Sequence, residues 1–218
     1  MSDEAERKYS IKELKELYAP IKGQIDARLG DFKQIWDKAT DEELFIELVF
    51  CLLTPQSKAK TCWKAVQRLN RKCLITEGES CQIQEELFGV RFNRRKAEYI
   101  CLARKTFSSR SLRTTLSEFN SPFEAREWLV ENVLGLGYKE ASHFLRNIGL
   151  GENLAILDRH ILKNLMLLGV IRDVPSTLSR KTYLEIERKM TEFSKEAGIP
   201  MGKLDLLLWY KEAGEVFK

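Results

Sequence analysis

The chain has 218 residues, of which 44% are hydrophobic and 31% charged, so it can bury a substantial core as one globular unit or two small lobes. No apolar run approaches the roughly 20 residues of a membrane-spanning helix, and the start MSDEAERKYS is polar and acidic, unlike a signal peptide. The composition excludes a disordered tail and predicts a soluble cytoplasmic protein with no membrane partner.

Helix signals recur along the chain, whereas strand signals hardly appear. Three pairs have the capping-box spacing that opens a helix: Ser10 with Glu13, Thr40 with Glu43, and Ser121 with Glu124, the last around Pro122. In chain order, the first two predicted helices begin after Ser10 and after Thr40, and a third begins at Thr54 and Pro55. The next two begin at a cap formed by Asn93 and after Ser121. Four more cover 138–147, 159–168, 180–197 and 201–213. About ten short helices predict an all-α protein, with FIELVFCLL, residues 45–53, as a central buried helix.

The five cysteines, at positions 51, 62, 73, 81 and 101, form no C-x-x-C pair. Such pairs frame most zinc and iron–sulfur sites, so the spacing argues against both. We expect no metal and no cofactor.

Positive charge is concentrated in the middle of the chain. The segment 55–113 holds 14 Lys plus Arg against 5 Glu, a net charge of +9 compared with +4 for the whole chain. The block is equally compatible with a solvated helix face and with a nucleic-acid surface.

The segment VLGLGYKEASHFLRNIG, residues 133–149, places Gly135 and Gly137 in an apolar hairpin before a predicted helix. Glycine permits positive φ and close backbone approach, and the amides of a helix N-terminus attract phosphate. The hairpin is therefore either a DNA anchor that binds a phosphate without reading a base, or an ordinary tight turn between helices. On LGLG alone the turn is the simpler interpretation.

Lys139 lies in the first turn of the helix after this hairpin, where the helix dipole disfavours a cation. A lysine whose ammonium form is disfavoured is easier to deprotonate, and a Schiff-base nucleophile must be a neutral amine. Asp158 precedes a second amphipathic helix as a predicted N-cap, which would also fix its carboxylate where positive charge develops. A solvated lysine remains open as the alternative for Lys139.

The motif LGLGYK, residues 134–139, with an aspartate 19 residues after its lysine, resembles the catalytic signature of the helix-hairpin-helix DNA glycosylase superfamily. FCLLTPQSKAKTCWKAV (50–66) and LFGVRFNRRKAEYICLAR (87–104) resemble its DNA-facing segments. The ending LLLWYKEAGEVFK (206–218) is similar to that of the archaeal-type 8-oxoguanine DNA glycosylase/AP lyases. The chain departs from many superfamily members in having Leu134 where they have proline.

The resemblance implies a two-lobed all-α helix-hairpin-helix glycosylase fold, with a six-helix bundle over 37–151 and a second lobe from 1–36 and 152–218. It implies a monomeric bifunctional repair enzyme that flips 8-oxoguanine out of double-stranded DNA. Lys139 would then attack C1′ and form a Schiff base that undergoes β-elimination, while Asp158 would stabilise the positive charge on the sugar.

Further site residues follow from the same resemblance. Trp209 would stack in the base pocket, and Lys218 with its terminal carboxylate would detect the N–H that oxidation adds at N7 of guanine. Phe92 would either stack on a base or pack under its loop. Gln56 would enter the duplex near the vacated base, and the remaining candidate DNA contacts are Arg91, Arg94, Gly135 and Gly137.

Two other functions remain compatible with the sequence. A non-catalytic helix-hairpin-helix module would bind DNA in a salt-sensitive way but would cleave no strand. A related glycosylase would use the same lysine on another oxidised base, such as a pyrimidine, because only Trp209 and Lys218 favour an oxidised purine.

Overall fold

The computed structural model describes residues 9–216, and over that range the chain forms helices and no strand. The twelve helices of the described range are α1 (Ile11–Lys38), α2 (Asp41–Leu53), α3 (Ala59–Arg71), α4 (Leu74–Glu77), α5 (Ser80–Glu86), α6 (Asn93–Thr106), α7 (Leu112–Leu116), α8 (Pro122–Asn132), α9 (Tyr138–Asn147), α10 (Arg159–Leu167), α11 (Arg180–Ala197) and α12 (Met201–Ala213). The prediction of an all-α protein is confirmed. None of these helices is long and apolar enough to cross a membrane.

The chain divides into two compact units. The central unit is Gln34–Leu150, and the terminal unit combines the chain up to Lys33 with the chain from Gly151 onward. The first division falls inside α1 and the second follows α9.

The core of the central unit forms around α2. Every hydrophobic residue of this helix except Ile46 is buried, and α3, α4, α6, α7 and α9 pack around it. Such burial on all sides requires the nearly continuous apolar run of 44–53. The prediction that FIELVFCLL forms a central helix is confirmed.

In the terminal unit, α12 packs against both α10 and α11, and an aliphatic core is buried. A short segment outside the helices, residues 154–157, precedes α10 and is itself buried. Its backbone groups need partners because no strand lies beside them.

Two of the three predicted capping boxes are complete. The Ser10 hydroxyl accepts from the Glu13 N–H and the Glu13 carboxylate accepts from the Ser10 N–H, and the structure has the same reciprocal pair at Thr40. The Ser121 hydroxyl accepts from the Glu124 N–H at 3.2 Å, but the Glu124 carboxylate accepts from the N–H of Asn120 instead. The third predicted capping box therefore forms only in part, because the Glu124 side chain binds the N–H of the residue before Ser121 and not that of Ser121.

Two predicted helix starts were also wrong. Thr54 ends α2, with its N–H and its hydroxyl both donated to the Cys51 carbonyl oxygen, and α3 begins only at Ala59. The cap of α6 is Phe92, whereas Asn93 is already helical and accepts from the N–H of its neighbour Arg94. Thr and Pro at a helix boundary fit an end as well as a start, and the choice depends on the packing of α2.

Candidate active site and nucleic-acid interface

The hairpin of the central unit joins α8 to α9 through residues 133–137. Gly135 has φ +98°, and a Cβ added there would lie 2.9 Å from Cγ of Tyr99 and closer still to Cδ2. Only glycine fits both this backbone and this space. Gly137 is different, because it is the N-cap of α9 with φ −94° and ψ −177°, an extended backbone that any residue adopts. The expectation that the hairpin needs positive φ therefore holds for Gly135 alone.

Lys139 occupies the second position of α9, as predicted. Its Nζ lies 3.1 Å from Oε1 of Glu140 and donates to Oγ1 of Thr54 at 3.4 Å. The side chains of Lys139 and Glu140 are 23% and 13% exposed. The carboxylate of Glu140 is favourable near a helix N-terminus and offsets the unfavourable placement of the lysine. Sequence reasoning missed both partners.

A buried polar network joins α2 to the C-terminal end of α9. Nδ2 of Asn147 donates to Oε2 of Glu47 at 3.3 Å, and Nε of Arg146 donates to Oδ1 of Asn147 at 3.2 Å. Glu47 lies one helical turn before Cys51 on α2, and burial raises the pKa of the Cys51 thiol well above its ordinary value. Cys51 therefore stays a neutral thiol at this interface.

Gln56 lies on the turn between α2 and α3 with its side chain exposed. Its φ is +53°, in the left-handed region that residues other than glycine seldom adopt. Beneath the turn, the buried Lys96 donates from Nζ to the carbonyl oxygens of Leu53 and Pro55, each at 2.7 Å. Burial lowers the pKa of Lys96 to about 8.

The loop before α6 carries Arg91 and Phe92. The Arg91 N–H donates to Oγ of Ser57 at 3.0 Å, which ties this loop to the turn between α2 and α3. Phe92 is 54% exposed with φ +57°, so its ring does not pack under the loop. Arg94 is also exposed, and its Nε lies 3.6 Å from the Glu98 carboxylate.

Sequence reasoning overlooked a second exposed aromatic residue in this loop. Phe88 is 60% exposed, and the guanidinium of Arg68 lies 3.7 Å from its ring centroid. Arg68 is fixed by a hydrogen bond of 2.7 Å to the Glu86 carbonyl oxygen. The signal available in the sequence was the pattern FGVRF, in which two phenylalanines flank an arginine.

Asp158, in the terminal unit, is the N-cap of α10, as predicted. Its Oδ1 accepts from the N–H groups of His160 and Ile161, each at 2.8 Å. The preceding segment is held by α11, since Oε1 of Glu187 accepts from the Ala155 N–H at 2.8 Å. The bonds from His160 and Ile161 hold the Asp158 carboxylate, and the bond to Glu187 holds the backbone three residues before it.

Trp209 lies on α12 in the same unit, with its ring 5.4 Å from that of His160 in an edge arrangement. One turn later, the Glu212 carboxylate accepts from Lys163 and Asn164 of α10. The C-terminal end of α12 is thus fastened to α10. Lys218 lies outside the described residues, and within them no group of three or more His, Cys, Asp or Glu side chains is placed to hold a metal ion.

The chain is similar to named proteins over most of its length. A family model for 8-oxoguanine DNA glycosylase matches residues 25–199. A protein of Fusobacterium nucleatum named 8-oxoguanine DNA glycosylase/AP lyase is 46% identical over 211 residues, covering 95% of this chain and 97% of the relative. A protein of the same name from Methanocaldococcus jannaschii is 40% identical over 209 residues, covering 95% and 99%.

Solved structures give the same result. The crystal structure of the Methanocaldococcus jannaschii 8-oxoguanine DNA glycosylase matches with a TM-score of 0.86 and 40% identity, over 95% of each chain. The structure of the glycosylase/lyase of that organism in complex with a 15mer DNA containing 8-oxoguanine also matches with a TM-score of 0.86, at 38% identity, over 95% of this chain and 99% of the other. This chain belongs to the 8-oxoguanine DNA glycosylase family.

Proposed function

We propose that this protein is an 8-oxoguanine DNA glycosylase/AP lyase in which Lys139 is the nucleophile. The observation that carries the proposal is the setting of Lys139, a largely buried lysine in the first turn of α9, directly after a hairpin whose Gly135 admits no side chain. The substrate is double-stranded DNA with one 8-oxoguanine. The enzyme acts as a monomer in the cytoplasm and needs no cofactor.

The hairpin supplies the anchor for this reaction. The first-turn N–H groups of α9 attract a phosphate oxygen, and Gly135 supplies the positive φ with which the hairpin leads into them. A phosphate held there brings the sugar of a neighbouring nucleotide within reach of the α9 N-terminus. Gly137, as the N-cap, adds a further N–H without a side chain.

Base release then proceeds by substitution at the sugar. The lone pair of the neutral Lys139 amine attacks C1′, and the bond from C1′ to N9 breaks, with its electron pair leaving on the oxidised guanine. The nitrogen then carries two protons and gives one of them to the departing base. The C1′–O4′ bond of the sugar breaks next, its electron pair stays on O4′, which takes up a proton, and a protonated Schiff base forms between Lys139 and C1′. β-Elimination then cleaves the strand on the 3′ side of the lesion.

Asp158 stabilises the positive charge that develops on the sugar. Its two hydrogen bonds from the α10 N-terminus hold the carboxylate in one orientation, so little reorganisation is needed as charge develops. An Asp158→Asn variant keeps the cap and loses the charge. We expect it to bind DNA normally and to release the base more slowly under single-turnover conditions.

Base recognition belongs to Trp209 and Lys218 in this proposal. Trp209 stacks on the extruded purine, and the terminal carboxylate accepts the N7–H that guanine lacks. Gln56 fills the space that the base leaves, and Phe92 stacks on the base that loses its partner. Arg91, together with Arg94, contacts the phosphates of the strand.

Borohydride trapping tests the proposal. Duplexes with one 8-oxoguanine, one thymine glycol or no lesion are incubated with the wild type, with Lys139→Ala, with a chain lacking Lys218, and with Lys105→Ala as a matched exposed lysine. We expect an adduct with 8-oxoguanine that only Lys139→Ala abolishes completely. An adduct with thymine glycol alone would keep the lysine and overturn the substrate, whereas salt-sensitive binding without any adduct or base release would leave a DNA-binding module.

A further inference from the structure

The turn that carries Gln56 holds an unfavourable backbone conformation. A side chain at φ +53° crowds its own carbonyl group, so an isolated turn with glutamine at this position would relax. Strain of this kind persists only where surrounding contacts fix the backbone, and it is found most often at functional sites. The neighbours of the turn must therefore supply those contacts.

Lys96 supplies them from below. Its Nζ donates to the Leu53 and Pro55 carbonyl oxygens at 2.7 Å and lies 3.2 Å from Oγ of Ser57. An ammonium group has three N–H bonds, and the three acceptors flank Gln56 on both sides. The lysine thus forms hydrogen bonds to the turn before and after the strained residue, and the glutamine side chain stays exposed.

The same contact reaches a second loop. Oγ of Ser57 also accepts from the Arg91 N–H, and Arg91 is followed by the exposed Phe92. Lys96 itself lies on α6, which begins directly after Phe92. One buried ammonium group therefore joins the turn of Gln56 and the loop of Phe92 into a single surface.

A buried lysine is an expensive way to fill space. Lys96 is only 3% exposed, and taking an ammonium group out of water costs free energy that an apolar side chain of similar length avoids. Its pKa is lowered to about 8 chiefly by this desolvation. Packing alone does not explain the residue, but the three acceptors of the turn do.

We propose that Lys96 is a positioning residue that holds Gln56 in the left-handed conformation from which its side chain enters the duplex. The inference rests on the role proposed above for Gln56. Lys96 acts through the turn and does not touch DNA. Its removal therefore impairs extrusion of the base more than the chemistry of Lys139.

A double-mutant cycle tests this link. Single-turnover base release from duplex 8-oxoguanine is measured for Lys96→Met, Gln56→Ala and the double variant, with Lys105→Met on the exposed face of α6 as a matched loss of one positive charge. We expect each of the first two variants to release the base about tenfold more slowly, and the double variant to be no slower than the worse single variant. Lys105→Met should stay within twofold of the wild type.

Trapping on a preformed abasic site separates positioning of the turn from damage to the active lysine. This substrate has no base to extrude, so Lys96→Met should form the borohydride adduct at a rate within about threefold of the wild type. If Lys96→Met does not fold, Ser57→Ala removes one acceptor and the link to Arg91 while keeping the ammonium, and it should slow base release in the same direction to a smaller extent. Circular dichroism at the assay temperature establishes folding for each variant.

Four results would overturn the inference. Multiplicative losses in the double variant would mean that Lys96 and Gln56 act independently. An equal loss of base release and of trapping would mean that Lys96 acts on Lys139. If Gln56→Ala releases the base slowly but Lys96→Met releases it at the wild-type rate, the inference about Lys96 is refuted and the proposed role of Gln56 stands. If Gln56→Ala releases the base at the wild-type rate, the proposed role of Gln56 is refuted and the inference with it.

Discussion

The hairpin glycines make unequal demands, and replacing each by alanine measures the difference. Gly135→Ala forces an L side chain into φ +98° and drives its Cβ into the ring of Tyr99. Gly137→Ala keeps an ordinary extended backbone, and its Cβ would lie 3.2 Å from Oε2 of Glu140, a flexible carboxylate that can give way. We expect Gly135→Ala to be strongly destabilising and Gly137→Ala to be nearly neutral.

The expected loss for Gly135→Ala has two parts. A left-handed backbone costs an L residue roughly 1–2 kcal/mol. Forcing a methyl group into the space of the Tyr99 ring adds about 1–3 kcal/mol, as in other overpacked sites. Alanine also restricts the unfolded chain more than glycine does, which offsets about 0.4–1 kcal/mol of the loss in stability. The free energy of unfolding should therefore fall by about 1–5 kcal/mol, a substantial fraction of the 5–15 kcal/mol typical of a folded protein.

Urea denaturation of both variants, followed by circular dichroism, gives these values. In a Tyr99→Ala background the steric part disappears, so the additional cost of Gly135→Ala should shrink to about 0–1.6 kcal/mol, the backbone cost less the effect on the unfolded chain. Equal losses below 1 kcal/mol for the two glycine variants would refute the reasoning, because the left-handed backbone and the contact with Tyr99 would then carry no cost.

Three more predictions follow from single contacts. Thr54→Val removes the Oγ1 acceptor of Lys139 and should slow both base release and borohydride trapping about fivefold, equivalent to ~1 kcal/mol, with DNA affinity unchanged. Tyr183→Phe removes a hydrogen bond of 2.6 Å to the buried Ala155 carbonyl oxygen and should lower the free energy of unfolding by about 1–3 kcal/mol in urea denaturation; no change would mean that the carbonyl finds another donor. The pKa of Lys96 is about 8 in the folded protein against 10.5 for an ordinary lysine, so between these pH values the unfolded chain binds more protons and the free energy of unfolding rises with pH. Lys96→Met should reduce that rise by about 2 kcal/mol when the two proteins are compared in urea at pH 7.5 and 10.

Local signals in the sequence predicted much of the fold. The bounds 138–147, 180–197 and 201–213 agree with α9, α11 and α12 because a short pattern defines each end: a glycine N-cap before α9, a serine cap before α11, and a left-handed glycine between α11 and proline. Asp158 was predicted as a cap for the same reason. Interactions that reach no further than four residues are readable from the letters alone.

The features that the sequence did not predict lie where a contact with a distant residue determines the backbone conformation. Gln56 and Phe92 take left-handed conformations that the neighbouring residues in the sequence do not require. The hydrogen bond from Lys96 to the Pro55 carbonyl oxygen joins positions about 40 residues apart. The short helices α4, α5 and α7 have too few residues for a periodic pattern and went unpredicted. These features depend on packing around α2, which the sequence pattern places in the core without specifying its neighbours.

At Lys139, a local signal in the sequence and a contact with a distant residue both matter. Its position against the helix dipole was visible in the sequence, and its neighbour Glu140 is favoured by the same dipole, so the two charges together cost the helix little. An ion pair that served only to stabilise α9 would gain nothing from burial, because desolvation offsets the attraction between the charges. This pair is nevertheless largely buried, and a threonine from α2, 85 residues earlier, completes its contacts. The cost of that burial favours a lysine kept for chemistry over one kept for helix stability.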